Sequence, residues 1–306
     1  VKILLLGADG QLGGYLRSTL ATIGTVRASS RAAKDDALRC DLSDTAAVEV
    51  LLRRERADLV VNAAAYTAVD QAEREEGQAM LVNATLPGVI GATSSEWGGA
   101  VIHYSTDYVF DGTASHPYCE DDNPNPLGVY GRSKLAGEYA LTEADTDHLI
   151  LRTAWVHSLH GRNFLTTMLR LGVERRQLSV VNDQRGTPTS AGFLATATAT
   201  VAGRWMNDIE SRRERRGVYH LTAAGETTWF DFANAIFDEA LATGRLQERP
   251  IVLPIATAGY PTPAKRPAWS VLDTTKIATS FGVTPPDWRS DLSVMMKGGY
   301  ETHPSV

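Results

Sequence analysis

The first twenty residues constrain the fold most. Lys2 to Leu6 is a short apolar run, Gly7-Ala8-Asp9-Gly10-Gln11-Leu12-Gly13 follows at once, and apolar residues at 12, 16 and 20 then recur at helix spacing. A G-x-x-G-x-x-G spacing is common in a chain with 26 glycines and says little by itself. Between a strand and a helix it has a mechanism. Gly7, Gly10 and Gly13 let the backbone turn tightly and approach a pyrophosphate, whose charge rests on the free N–H groups at the helix start. The stretch therefore predicts a strand–turn–helix that binds a dinucleotide.

The same alternation continues through the first half of the chain. Short apolar runs at Val26–Ser29, Asp58–Asn62, Val101–Tyr104 and His148–Leu151 read as strands, and they lack the polar alternation of a half-exposed sheet. Between them, Thr45–Arg54, Glu73–Trp97 and Leu135–Leu141 have helical patterns, with Ser43 or Asp44 as N-cap for the first and Pro87 expected to interrupt or restart the second. Strands and helices in this order predict an α/β, Rossmann-type doubly wound parallel sheet. After Arg152 the pattern loosens into helices at Asn163–Leu171, Ala191–Val201 and Thr228–Leu241, strands at Leu178–Val181 and Val218–Leu221, and a proline-rich tail. Residues 1–152 are read as the cofactor-binding domain and 153–306 mainly as a smaller mixed α/β substrate-binding lobe. The boundary is read as discontinuous, with the strand near 178–182 returning to the first sheet.

Composition excludes several classes of partner. A net charge of −6 gives no reason to expect nucleic acid or an anionic membrane, and the basic runs at 53–56 and 212–216 each contain a glutamate and read as solvated faces. Cys40 and Cys119 make no disulfide framework, which suits a reducing compartment. No apolar run approaches the ~20 residues of a membrane span, and Ile3–Leu6 is too short for a signal segment. The expectation is a soluble cytoplasmic protein. No His, Cys or carboxylate cluster has metal-ligand spacing, so no metal is expected.

The end of the second strand bears on the choice of dinucleotide. An acidic residue there would bind the adenosine ribose and repel a 2′-phosphate. The sequence has Ser29-Ser30-Arg31 instead, a hydroxyl pair and a guanidinium suited to phosphate. Ser30 and Arg31 therefore predict NADPH, with NADH left open as a second donor and a solvent-facing Arg31 as the bland reading. Asp41 either contacts the adenine or caps the next helix.

A chemical kit sits between Val101 and Lys134. Ser105, Thr106 and Asp107 stand where a buried strand gives way to a loop, and Tyr130 and Lys134 share one helix face four residues apart. Ten tyrosines and six lysines in 306 residues would produce a Y-x-x-x-K by chance only about 0.2 times. A free phenol has a pKa of about 10 and is a sluggish acid at neutral pH. An ammonium beside it would stabilise the phenolate and bring that value down. Tyr130 is thus the candidate proton donor to a carbonyl oxygen, with Lys134 its partner, also able to bind the nicotinamide ribose, and Thr106 a second hydrogen-bond donor. Asp107 either binds a substrate hydroxyl or orders the loop. His103, inside the apolar strand, reads as a satisfied core histidine. Trp155, just after a strand at the lobe junction, either walls a pocket or belongs to the core.

These motifs together resemble the extended short-chain dehydrogenase/reductases, and within them the dTDP-4-dehydrorhamnose reductase family. The likeness covers nearly the whole chain: ILLLGADGQLG, DLVVNAAAYTAVDQAE, VIHYSTDYVFDG, YGRSKLAGE, LRTAWV, VVNDQRGTPT, YHLTAAGETTWFDFA and YPTPAKRP. It implies NADPH-dependent reduction of dTDP-6-deoxy-L-lyxo-4-hexulose to dTDP-L-rhamnose, with Tyr130 as proton donor, Lys134 its partner and Thr106 the tuning hydroxyl. Gly10, Gln11, Leu12, Asp41, Leu42, Ala63, Ala64, Ala65, Tyr66, Thr67 and Tyr104 would contact the dinucleotide. Thr106, Asp107 and Trp155 would contact the deoxysugar nucleotide, and Arg266 with its proline-rich loop would lie near the diphosphate or base. Some relatives form dimers bridged by Mg²⁺ through glutamates. The corresponding residues here are Tyr15 and Gly192, so a monomer or a homodimer without a metal bridge is expected. Two other readings stay open. One is a sugar-nucleotide 4,6-dehydratase or 4-epimerase, although Asp107 is followed by Tyr108 rather than the glutamate of a dehydratase. The other is a non-catalytic dinucleotide-binding subunit like the regulatory subunit of methionine adenosyltransferase.

Overall fold

The computed structural model describes residues 1–208 and 210–300. Its centre is a six-stranded sheet built from β1 (Lys2–Leu6), β2 (Thr25–Ser29), β3 (Leu59–Asn62), β4 (Ala100–Thr106), β5 (His148–Thr153) and the strand Gly217–His220. Every neighbouring pair is parallel. The spatial order runs from Gly217–His220 through β5, β4, β3 and β1 to β2. β2 lies on one side of β1 and β3 on the other, which makes the gap between the ends of β1 and β3 the switch point where such sheets open a crevice.

The sequence places apolar residues on both faces of the strands. Ile3 and Leu5 belong to a core with the helices Gln11–Leu20 and Ala191–Asn207, where Leu16, Leu20, Val201 and Trp205 are fully buried. Leu4 and Leu6 enter the opposite core with Leu52 of helix Thr45–Glu55, Ile90 of helix Leu86–Ser95 and Leu141 of helix Val129–Glu143. Burial on both faces is why β3, β4 and β5 read as unbroken apolar runs. Asp44, one of the two candidates, caps Thr45–Glu55 by accepting the Ala47 N–H.

One sequence expectation is corrected. The strand Gln177–Val181 does not return to the main sheet. It pairs in parallel with Ile251–Ile255, and Gly217–His220 takes the sheet edge instead. This pair packs on a third core, with Leu165, Phe232, Phe237 and Leu292, between helices Phe164–Glu174, Trp229–Ala242 and Trp288–Met296. Pro87 falls where the α-helix restarts. A wider π turn at Leu81–Thr85 joins Glu76–Met80 to Leu86–Ser95, and Pro87 falls in the first turn of the latter, where its missing N–H is tolerated. The turn pushes the Asn83 carbonyl against Gly137, where a Cβ would fall 2.0 Å from that oxygen.

Among the described residues no helix is long and apolar enough to cross a membrane, and no group of three or more His, Cys, Asp or Glu could hold a metal. Tyr15 is buried with its hydroxyl on Met295 Sδ at 3.5 Å, and Tyr300 fills the space beside Gly192.

Candidate active site

A cleft of about 1570 Å³ runs along the C-terminal ends of the main strands, across the switch point and out to the Gln177–Val181 pair. At its inner end the chain after β1 lies hard against the chain after β3. Gly7 has φ +77°, and a Cβ on it would meet Ala64 N at 2.8 Å; one on Gly13 would meet the Gly7 oxygen at 2.1 Å. Gly10 caps the helix Gln11–Leu20 without a side-chain acceptor, so the helix N-terminus is left for an anion. Gly7, Gly10, Gln11 and Leu12 all line the cleft, facing Ala63, Ala64, Ala65, Thr67 and Tyr104. Tyr66 is not a lining residue; its hydroxyl donates to Glu75.

Ser30, Arg31, Asp41 and Leu42 line the same cleft beyond β2. Ser30 is buried and its Oγ accepts the Ala32 N–H. Arg31 is exposed. Asp41 does not cap the following helix. Its Oδ1 accepts both the N–H and the hydroxyl of Ser43, and these bonds hold its carboxyl below the usual range.

β4 is buried at all seven positions and delivers Thr106 and Asp107 to the cleft. The helix Val129–Glu143 brings Tyr130 and Lys134 to the same place. The Tyr130 phenol lies beside Thr106, whose Oγ1 accepts the Tyr108 N–H and donates to Asp107 Oδ1. Asp107 is buried and its Oδ2 accepts the Ser270 hydroxyl at 2.5 Å; burial pushes its pKa up to about 7.

The Lys134 nitrogen is turned to β4, donating to the Tyr104 carbonyl and lying 3.2 Å from His103 Nε2. Burial pushes the lysine down to about 8 and the Tyr130 phenol up to about 12.

The outer wall is aromatic. Trp155 sits at φ +46°, a conformation that a bulky residue rarely adopts. It is held there by a face-to-face stack on Trp229, with ring centres 3.5 Å apart, and by Gly186, where a Cβ would meet the indole at 2.5 Å. Arg266 also lines the cleft, anchored to Asp70 at 2.8 Å and to Thr262.

Several participants had no place in the sequence reading. Ser270 lies 163 residues from the carboxylate it binds, and nothing local marks it. Trp229 read as the start of an amphipathic helix. Asn83, in the π turn, accepts the Tyr66 N–H and donates to the Tyr66 carbonyl and to Ser133, tying the loop after β3 to the Tyr130 helix. Glu138 was detectable: it stands four residues beyond Lys134 on the same helix face.

The model of the RmlD substrate binding domain family matches residues 1–300. The chain is 43% identical to dTDP-4-dehydrorhamnose reductase of Salmonella typhimurium over 302 residues, 99% of each chain. It is 44% identical to the Burkholderia thailandensis enzyme of the same name, over 94% of this chain and 96% of that one. Among solved structures, the dTDP-4-dehydrorhamnose reductase of Bacillus anthracis in complex with NADP superposes with a TM-score of 0.85 at 31% identity, covering 97% of this chain and 98% of that one. With full-length matches of this identity, the chain belongs to the dTDP-4-dehydrorhamnose reductase family.

Proposed function

We propose that the chain reduces dTDP-6-deoxy-L-lyxo-4-hexulose at C4 with NADPH, giving dTDP-L-rhamnose. The observation that carries this reading is that a glycine-built dinucleotide cradle and the Thr106–Tyr130–Lys134 set line one continuous cleft in a member of this reductase family. The Bacillus anthracis relative, described with NADP, supports the choice of cofactor.

The cradle's residues fit a phosphorylated dinucleotide. Gly10 would leave the helix N-terminus clear for the pyrophosphate, the Ser30 hydroxyl and the Arg31 guanidinium would hold the 2′-phosphate, and no carboxylate ends β2 to repel it. NADPH, when bound, supplies the hydride. Thr106 and Tyr130 hydrogen-bond the ketone oxygen, and Tyr130 gives up its proton as negative charge develops there. Lys134, as the ammonium, supports the phenolate that remains. Asp107 and Trp155 hold the sugar, and Arg266 reaches the nucleotide side. The segments before residue 152 form the cofactor side of the cleft and the later segments mainly the substrate side.

Purified protein given the keto-sugar nucleotide is expected to consume NADPH and yield the rhamnose nucleotide. No consumption with that substrate sinks the reading. Tightly retained NAD with interconversion of two 4-epimers would support an epimerase, and co-purification with a synthetase partner without turnover a regulatory subunit.

Arg31 gives a second test. A charge-assisted hydrogen bond contributes about 1.5–3 kcal/mol, so Arg31→Glu is expected to lower the ratio of kcat/KM for NADPH to that for NADH by at least about 10-fold. An unchanged ratio would remove Arg31 from the phosphate site.

A further inference from the structure

Three buried side chains, on β3, β4 and the Tyr130 helix, fix one another's hydrogens. Asn62 ends β3, and its Oδ1 accepts the Ala64 N–H at 3.1 Å. The amide nitrogen is therefore the end that faces His103, 3.0 Å from Nδ1. An amide nitrogen only donates, so Nδ1 accepts, and the single proton of the neutral imidazole stands on Nε2. That proton points at the Lys134 nitrogen, 3.2 Å away. Both side chains are buried, and Lys134 also donates to the Tyr104 carbonyl. An ammonium in this position sets N–H against N–H. A neutral amine accepts the imidazole proton through its lone pair and still donates to Tyr104.

We propose that Asn62 locks His103 as its Nε2–H tautomer and that this proton weakens the basicity of Lys134, making His103 a positioning residue that sets the upper pH limit of the reduction. The kinetic consequence rests on the role given to Lys134 above; the tautomer does not.

The charged and titratable groups around the pair are few. Glu138, one turn along the same helix, favours the ammonium, but its oxygens are bound by Arg152 from β5 and Ser105 from β4. Tyr130 lies one turn back and Asp107 at the end of β4. Burial acts in the same direction as His103, holding the lysine near the value given above. It also keeps the imidazole uncharged, well below its ordinary range.

Nitrogen NMR of the full chain with isotope-labelled histidine tests the lock directly, the His103 signals being assigned by their loss in His103→Gln. The expected pattern is an unprotonated Nδ1 and a protonated Nε2; the reverse pattern overturns the proposal. The kinetic test is the alkaline limb of kcat/KM for NADPH, which reports the free enzyme. Asn62→Leu frees Nδ1 and Asn62→Asp pulls the proton onto it. In either variant Nε2 can then accept from the ammonium, so the limb moves up by about one pH unit. A limb that stays in place while kcat falls in both variants would assign Asn62 and His103 a structural role only. Absence of NADPH turnover in the parent protein defeats the functional reading and leaves the NMR result to decide the tautomer.

Discussion

Tyr130→Phe is expected to lower kcat by about 10²–10⁴, the usual contribution of a positioned general acid, while dinucleotide affinity and fold are retained. The substitution removes one oxygen from a residue whose ring packs edge-on to Tyr108, with ring centres 5.8 Å apart, and that packing survives in phenylalanine. What is lost is the hydroxyl beside Thr106. Hydride arriving at the carbonyl carbon places negative charge on the oxygen, and Thr106 alone cannot neutralise it, because a threonine hydroxyl is too weak an acid to give up its proton. The check is steady-state kinetics with NADPH and the keto-sugar nucleotide, beside dinucleotide binding by fluorescence titration. A Tyr130→Phe protein that binds dinucleotide normally and turns over at the parental rate would remove the tyrosine from the chemistry.

The largest stability effect is expected at Glu138. Its carboxylate takes a two-point contact from Arg152, Nε at 2.9 Å and Nη2 at 2.6 Å, and a third bond from the Ser105 hydroxyl. Both charged side chains are 4% exposed or less, and the guanidinium lies over the Phe110 ring at 5.1 Å. This contact pins the helix that carries Tyr130 and Lys134 to β4 and β5. Glu138→Gln leaves a buried guanidinium without its counter-charge, which costs about 3–5 kcal/mol. The desolvation of the pair itself is large, so the double variant Glu138→Leu/Arg152→Met is expected to be less destabilised than Glu138→Gln. Urea unfolding of the three proteins measures this. A loss below about 1 kcal/mol for Glu138→Gln, the range of exposed pairs, would mean that water reaches the site.

What the sequence revealed was local. The glycine loop, the unbroken apolar strands and the Tyr130–Lys134 spacing each follow from a few consecutive residues, and the structure puts the loop, Tyr130 and Lys134 along one cleft. The partner of the Leu178 strand was not legible, because an apolar run of four states that it is buried but not which edge it joins. Pro87 marked a break or a restart, but not the π turn that places it in a first turn. Ser270 and Trp229 reach the site through tertiary packing across long separations. The spacing of Tyr130 and Lys134 also gave proximity without orientation. Only the surroundings of His103 show where the lysine's nitrogen points.

The central claim is direct hydride transfer to C4 with protonation of its oxygen. It is tested most directly by running the reaction with NADPH deuterated at the reactive nicotinamide carbon and locating the label in the product by NMR. The account predicts one deuterium on C4 of dTDP-L-rhamnose. Deuterium at another carbon, or a product made without label while NADPH is left unconsumed, would contradict it.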